Sequence, residues 1–206
     1  MPKQEFPITY LENYLPASAA PLALQLLQQH KVHLTITRER KTVLGDYRHA
    51  HNNAAHRISV NGNLNHYAFL ITLIHELAHL LTFMQYGNRV NAHGREWKLV
   101  YKQLLLQFLV LSIFPADIFA ALQSSLNNLP ASSCADEGLM RVLRRYDDNA
   151  PGMLLVEELP DGALFSLDDG KIFKKGKRLR KRFQCTEVKT GKLYLFSPVY
   201  EVKKVS

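Results

Sequence analysis

His75-Glu76-Leu77-Ala78-His79 sets two imidazoles four residues apart, with a carboxylate directly after the first. On a helix, positions four apart share a face about one turn, roughly 6 Å, from each other. Both rings can then reach one Zn²⁺ at about 2.1 Å. Glu76 points away from His75's direction and can instead reach a water on the open position of that ion. Zinc lowers the pKa of such a water to about 7, so Glu76 can take its proton while the ion polarises a carbonyl. The pattern makes Glu76 a candidate general base and His75 and His79 candidate metal ligands. A catalytic zinc site, one ion per chain, usually needs a third protein ligand. His93 and Glu96 both qualify on spacing. His93-Gly94 stands at the mouth of the next predicted helix, where a side chain can turn back; metalloproteases with this pentad often use a downstream glutamate. The bland reading, two core histidines and a solvated glutamate, sits badly with the flanks. Phe69-Leu70-Ile71 and Leu80-Leu81 are apolar, and unpartnered imidazoles and carboxylates are costly to bury there.

The elements that must position these groups follow from periodicity and punctuation. A helix from about His66 to Tyr86 carries the pentad, with Asn65 as its cap and Gly87 as its stop. His66 itself lies more than two turns before His75 and is not counted as a ligand. A further helix begins near Gly94, its apolar face made by Trp97, Tyr101, Leu104, Leu105 and Phe108. Upstream, Thr9 and Glu12 form a capping-box pattern for a helix near Tyr10, and Leu22, Leu26 and Leu27 mark a second helix ending near His30. Val32 to Arg38, Thr42 to Arg48 and His56 to Asn61 read as strands, the last closed by an Asn61-Gly62 turn. The strand from His56 to Val60 directly precedes the pentad helix. It is expected to be an exposed edge beside that helix, where an extended peptide would add as a further strand. His49, His51 and His56, around Asn52-Asn53, read as loop histidines in preference to a second metal cluster.

Asn127 to Ala135 reads as a loop, and Ser133 with Asp136 as another capping box. Leu139, Val142, Leu143 and Tyr146 then share a helical face, and Asp147 to Gly152 is a linker. Beyond it come short strands separated by Pro160-Asp161-Gly162, Asp168-Asp169-Gly170 and Thr190-Gly191, the pattern of a small antiparallel sheet or barrel. The expected organisation is residues 1–130 as the site-bearing domain, 131–152 as a linker with a short helix, and 153–206 as a small basic β domain.

The 206-residue chain has 26 Lys and Arg against 18 Asp and Glu, a formal charge of +8. That points to acidic partners, nucleic acid first. Eight of the cations fall within 171–182. Lys174, Lys175, Lys177, Arg178, Arg180, Lys181 and Arg182 are candidate DNA-phosphate contacts, while Phe173, Phe183, Tyr194, Phe196 and Tyr200 read mainly as the core of that domain. Cys134 and Cys185 are too few and too far apart for a disulfide framework and read as reduced thiols, which suggests the cytoplasm. Met1 to Tyr10 has no apolar run of the kind a signal peptide needs. Tyr67 to Met84 and Leu104 to Phe114 are read as buried helices, with no membrane span.

Taken as a set, Thr42 to Arg48, Ile58 to Asn61, the pentad and His93-Gly94-Arg95-Glu96-Trp97-Lys98 resemble the SprT-like family, which includes the Spartan proteases. The last run is similar to that family's H-G-x-x-W-K signature, and the resemblance covers residues 1 to about 125. It implies His93 as the third ligand and a zincin-like α+β fold: helices around a small antiparallel sheet, with the pentad helix at the centre. It also implies a zinc metallopeptidase acting on protein substrates, including proteins bound or crosslinked to DNA. Many members end in a cysteine-rich zinc ribbon. Here only Cys185 falls in that region, so a small all-β domain without a second zinc is expected. Tyr47, Tyr86 and Arg95 are candidates by type for stabilising an oxyanion. The competing readings are a nucleic-acid-binding protein whose zinc is structural, and an intramembrane protease, which would need several spans.

Overall fold

The pentad lies on a helix, His66–Tyr86, buried on most sides. In this computed structural model Asn65 caps it: its Oδ1 accepts from the backbone N–H of Tyr67 at 3.1 Å and of Ala68 at 2.9 Å. Gly87, at φ +61°, ends it in a conformation that side chains with a Cβ resist. The helix is long and apolar enough to cross a bilayer, yet 67% of its most apolar window is buried inside the protein. Its hydrophobicity is used for packing.

The structure describes residues 8–40, 43–51, 55–126, 136–148 and 152–205, which divide into two units, Met1–Asp147 and Asp148–Ser206. In the first unit the elements in chain order are α1 Ala20–Gln29, β1 His33–Thr37, β2 Gly45–Arg48, β3 Arg57–Asn61, α2 His66–Tyr86, α3 Arg95–Leu109, α4 Ala116–Ser125 and α5 Glu137–Leu143. The capping-box pattern at Thr9 and Glu12 corresponds to a short 3₁₀ helix, Ile8–Asn13, in place of an α-helix from Tyr10. The core gathers the apolar residues of α2 with Trp97, Val100, Leu104, Leu105 and Phe108 from α3, and Ile58 and Val60 from β3.

Two expectations for the sheet are corrected. The strand order is β1-β3-β2, with β1 parallel and β2 antiparallel to β3, so the sheet is mixed. The cause is the path between β1 and β2, which crosses the end of β3. Asn61 there is 1% exposed. Its backbone N–H donates to Leu44 O at 2.9 Å, and its Nδ2 donates to the carbonyls of Arg40 and Val43, each at 3.1 Å. Asn61 is thus the last residue of β3 and a clamp on the crossing segment as well as the start of a turn. As a second consequence, β3 is the central strand and has neighbours on both sides. The edge strand packed against α2 is β2.

β2 comes so close to α2 because residue 45 is glycine. A Cβ on Gly45 would lie 2.5 Å from Glu76 Oε1 and 2.7 Å from Thr72 Cγ2.

The segment after Leu126 is part of the same unit. Asn127 to Ala135 lies outside the described residues, Ser133 included. Asp136 is itself the cap of α5, accepting from Leu139 N–H at 3.0 Å. Tyr146 donates its hydroxyl to Asp117 of α4 at 2.7 Å. Asn65 Nδ2 reaches back to Leu143 O at 3.0 Å and to the Asp147 carboxylate.

The second unit holds β4 Met153–Leu155, β5 Leu164–Ser166, β6 Ile172–Leu179, β7 Arg182–Glu187, β8 Leu193–Phe196 and β9 Glu201–Lys204. They form one sheet of order β4-β9-β5-β6-β7-β8 in which every pair is antiparallel. The three turns read from the sequence fall between its strands. Phe165, Phe173, Phe183, Phe196, Val202 and the free thiol of Cys185 form its core, whereas Tyr194 and Tyr200 are exposed.

Replacing Gly45 by Ala should force β2 off α2. Overpacking of this kind costs about 1–3 kcal/mol, so the urea midpoint should fall with the slope unchanged. An unaltered midpoint would show that β2 is free to shift.

Candidate metal centre

α2 supplies His75, Glu76 and His79, and the first residue before the cap of α3 supplies His93 (Gly94 is the N-cap). His79 Nε2 lies 3.2 Å and His93 Nε2 3.3 Å from His75 Nε2. These are the only His, Cys, Asp or Glu side chains that gather in a metal-binding group among the described residues. Three ring nitrogens turned toward one point cannot all be satisfied by protons shared among themselves. A tetrahedral ion with bonds of about 2.0–2.1 Å sets its ligand nitrogens about 3.3–3.4 Å apart, so the residues present fit such a cation. The resemblance's choice of His93 over Glu96 agrees with this geometry. His49, His51 and His56 do not enter a metal group.

Burial governs the protonation of these groups. It pushes the His75 pKa down to about 3, with His79 and His93 adding smaller effects. It pushes His79 down to about 4, with His93 second. His93 is lowered by burial and by Lys98. At neutral pH all three imidazoles therefore carry free lone pairs, the form that binds a metal. Glu76 moves the other way, up to about 8, through burial first and the nearby Asp46 second, with Arg40 opposing.

The centre opens on a cleft of about 440 Å³ lined by Gly45, Asp46, Tyr47 and His49 on one side, the α2 face from His75 to Phe83 beneath, and Asn88 to His93 on the other. Of the oxyanion candidates, Tyr47 lines this cleft; Tyr86 and Arg95 do not.

Residues 18–113 match the model of the SprT-like family. No curated protein and no solved structure matches the chain. The matched segment contains all three histidines, Glu76 and the strand β2.

Two residues that hold this site together were not singled out as such from the sequence. Trp97 was read as one member of an apolar helical face. In the structure its ring lies 4.7 Å from those of His75 and His93 and 5.3 Å from His79, and it stacks on Tyr101 at 5.0 Å. It forms a wall against all three imidazoles. His75 Nδ1 is buried without a hydrogen-bond partner, so packing against Trp97 is what orients that ring. The H-G-x-x-W-K run was the available signal. Arg40 is the second case: its guanidinium donates to Asn61 Oδ1 at 2.8 Å and Ser59 Oγ at 3.0 Å, fastening the segment that leads into β2.

In the second unit, Lys174, Lys177, Arg178, Arg180, Lys181 and Arg182 are all exposed along the β6–β7 hairpin. Lys175 is not: it is 4% exposed. Its Nζ donates to Leu159 O at 2.5 Å and lies 4.2 Å from the centre of the Phe183 ring. It faces the core because it is cross-strand from Cys185, and it is removed from the set of phosphate contacts.

The shifted groups set the pH response of the metal-stripped protein. A Glu76 pKa raised to about 8 stabilises the fold fully below its ordinary value of 4.5, and that contribution is lost as pH rises through about 8. The depressed histidines act oppositely, costing stability as pH falls from 6.5 toward 4 and below. Glu76→Gln stays neutral throughout. In chelator, its Tm relative to wild type should be nearly unchanged at pH 5 and higher by several degrees at pH 9. An equal offset at both pH values would mean Glu76 is not held protonated by its surroundings.

Proposed function

We propose that the first unit is a zincin-like, zinc-dependent metallopeptidase of SprT-like type, with one Zn²⁺ held by His75, His79 and His93 and with Glu76 as general base. The convergence of the three Nε2 atoms beside a buried carboxylate carries this reading. The ion, when bound, supplies an acidified water and a polarised carbonyl. Glu76 lies against the ligand row with a raised proton affinity, suited to take a proton from that water and pass it to the leaving amine. β2, an edge strand, offers backbone groups to an extended peptide, and Gly45 brings that edge within touching distance of Glu76. Protein substrates would therefore be locally unfolded at the scissile bond.

The basic hairpin supports a partner as well. Six exposed cations crowd one hairpin, where they repel one another, and a polyanion would relieve that repulsion. We propose that the second unit binds DNA with little sequence preference, and that the substrates include proteins bound or crosslinked to DNA.

Elemental analysis should find about one zinc per chain, lost in His93→Ala. Glu76→Gln should retain zinc while hydrolysis of unfolded casein falls about 10²–10⁴-fold. Full activity in Glu76→Gln would end the general-base assignment.

For the second unit, log–log plots of DNA affinity against salt should have a slope of roughly −3 to −4 if four phosphates are contacted. Replacing Lys177, Arg178, Arg180 and Lys181 with Gln should flatten that slope without altering zinc content. An identical slope in the quadruple variant would remove the hairpin from DNA binding.

A further inference from the structure

We propose that Tyr47 is a further catalytic residue of this site, donating a hydrogen bond from its phenol to the oxyanion of the tetrahedral intermediate, and that His56 positions it. The assignment rests on the peptidase reading above. Hydrolysis of a peptide bond builds negative charge on the former carbonyl oxygen, and a rigidly held donor aimed there lowers the barrier.

Register places Tyr47 where such a donor must be. Side chains two apart on a strand share a face, so Tyr47 projects to the same side as the missing Cβ of Gly45, which is directed at Glu76 and Thr72. Glu76, His79 and Phe83 lie on one face of α2, three and four residues apart. The Tyr47 ring is 6.4 Å from that of Phe83. Tyr47 thus lines the same cleft as Glu76, His79 and His93, on the side of β2 that faces this row of α2.

The hydrogen bonding around it defines which way its proton points. Ala50 N–H donates to His56 Nδ1 at 3.2 Å. That nitrogen therefore carries a lone pair, and the Tyr47 hydroxyl, 2.9 Å away, is the donor of the pair. The two rings stack at 5.9 Å, which fixes the phenol plane. On the proposal the phenol gives up this bond and turns its proton to the oxyanion when substrate fills the cleft. His56 Nδ1 keeps the Ala50 N–H when this happens, so no buried acceptor is left bare. Burial also raises the Tyr47 pKa, which keeps the phenol protonated as a donor.

The test uses the full zinc-loaded chain and a phosphinic pseudopeptide, a tetrahedral oxyanion mimic built on the bond cleaved fastest in unfolded casein. Tyr47→Phe should lose about 10²-fold in kcat and a comparable factor in phosphinate affinity by calorimetry, the cost of one oxyanion donor. KM for the matching peptide and zinc content should stay within about threefold of wild type. His56→Leu should show the same split. His56→Gln, whose side-chain oxygen can accept from the phenol, should recover most of the loss. Wild-type phosphinate affinity in Tyr47→Phe overturns the assignment alone, as does a loss confined to KM. A wild-type chain that neither cleaves casein nor binds the phosphinate overturns the peptidase reading and this assignment with it.

Discussion

Three imidazoles and a carboxylate are held inside an apolar helix environment, and the rest of the first unit is arranged around that burden. Such groups are costly to bury without partners. The histidines here lie against one another, at 3.2 and 3.3 Å, and against the Trp97 and Tyr101 rings. The three residues could hold a metal ion, which would give their lone pairs a partner. Burial strips the imidazoles of protons, leaving their lone pairs free, and raises the proton affinity of Glu76. Asn65 and Gly87 set the ends of α2, Trp97 stiffens the ligand rings, and Gly45 lets the sheet edge close over the carboxylate.

The gathering of the three histidines was legible in the sequence because it is local. The pentad needs only the 3.6-residue period, and His93 needs only the end of one helix and the start of the next. The strand order was not legible. β1, β2 and β3 each announce themselves by alternation, but which lies in the middle is decided by contacts more than fifteen residues apart. Arg40 reaching Asn61 and Ser59 is such a contact, and no residue type announces it. The expected edge strand was therefore the wrong one. Nearness in sequence to the pentad helix favoured His56 to Val60, whereas the buried clamp at Asn61 carries the chain across β3 and leaves β2 outermost.

A similar limit applies in the second unit. A run of cations reads as one surface until strand register separates its members. Lys175 pairs with Cys185 across the ladder and turns inward, where it satisfies carbonyls of the turn at Glu157 to Leu159. Its charge-rich neighbours stay outside. Register alone does not sort the aromatics: Phe173, Phe183 and Phe196 lie inside, whereas Tyr194, also paired with Cys185 but on the edge strand β8, lies at the rim.

Asn65 has a consequence for where this domain stops. One end of its side chain begins α2; the other holds Leu143 and Asp147, near the last residues of the first unit. Similarity to the SprT-like family ends at residue 113, but the compact unit runs to Asp147. The last helix beyond that point, α5, is fastened to the very turn that launches the helix bearing His75 and His79. Family similarity and the compact unit thus have different borders here. The tail that carries no signature acts as a clasp, and loosening it would be felt first at the start of α2.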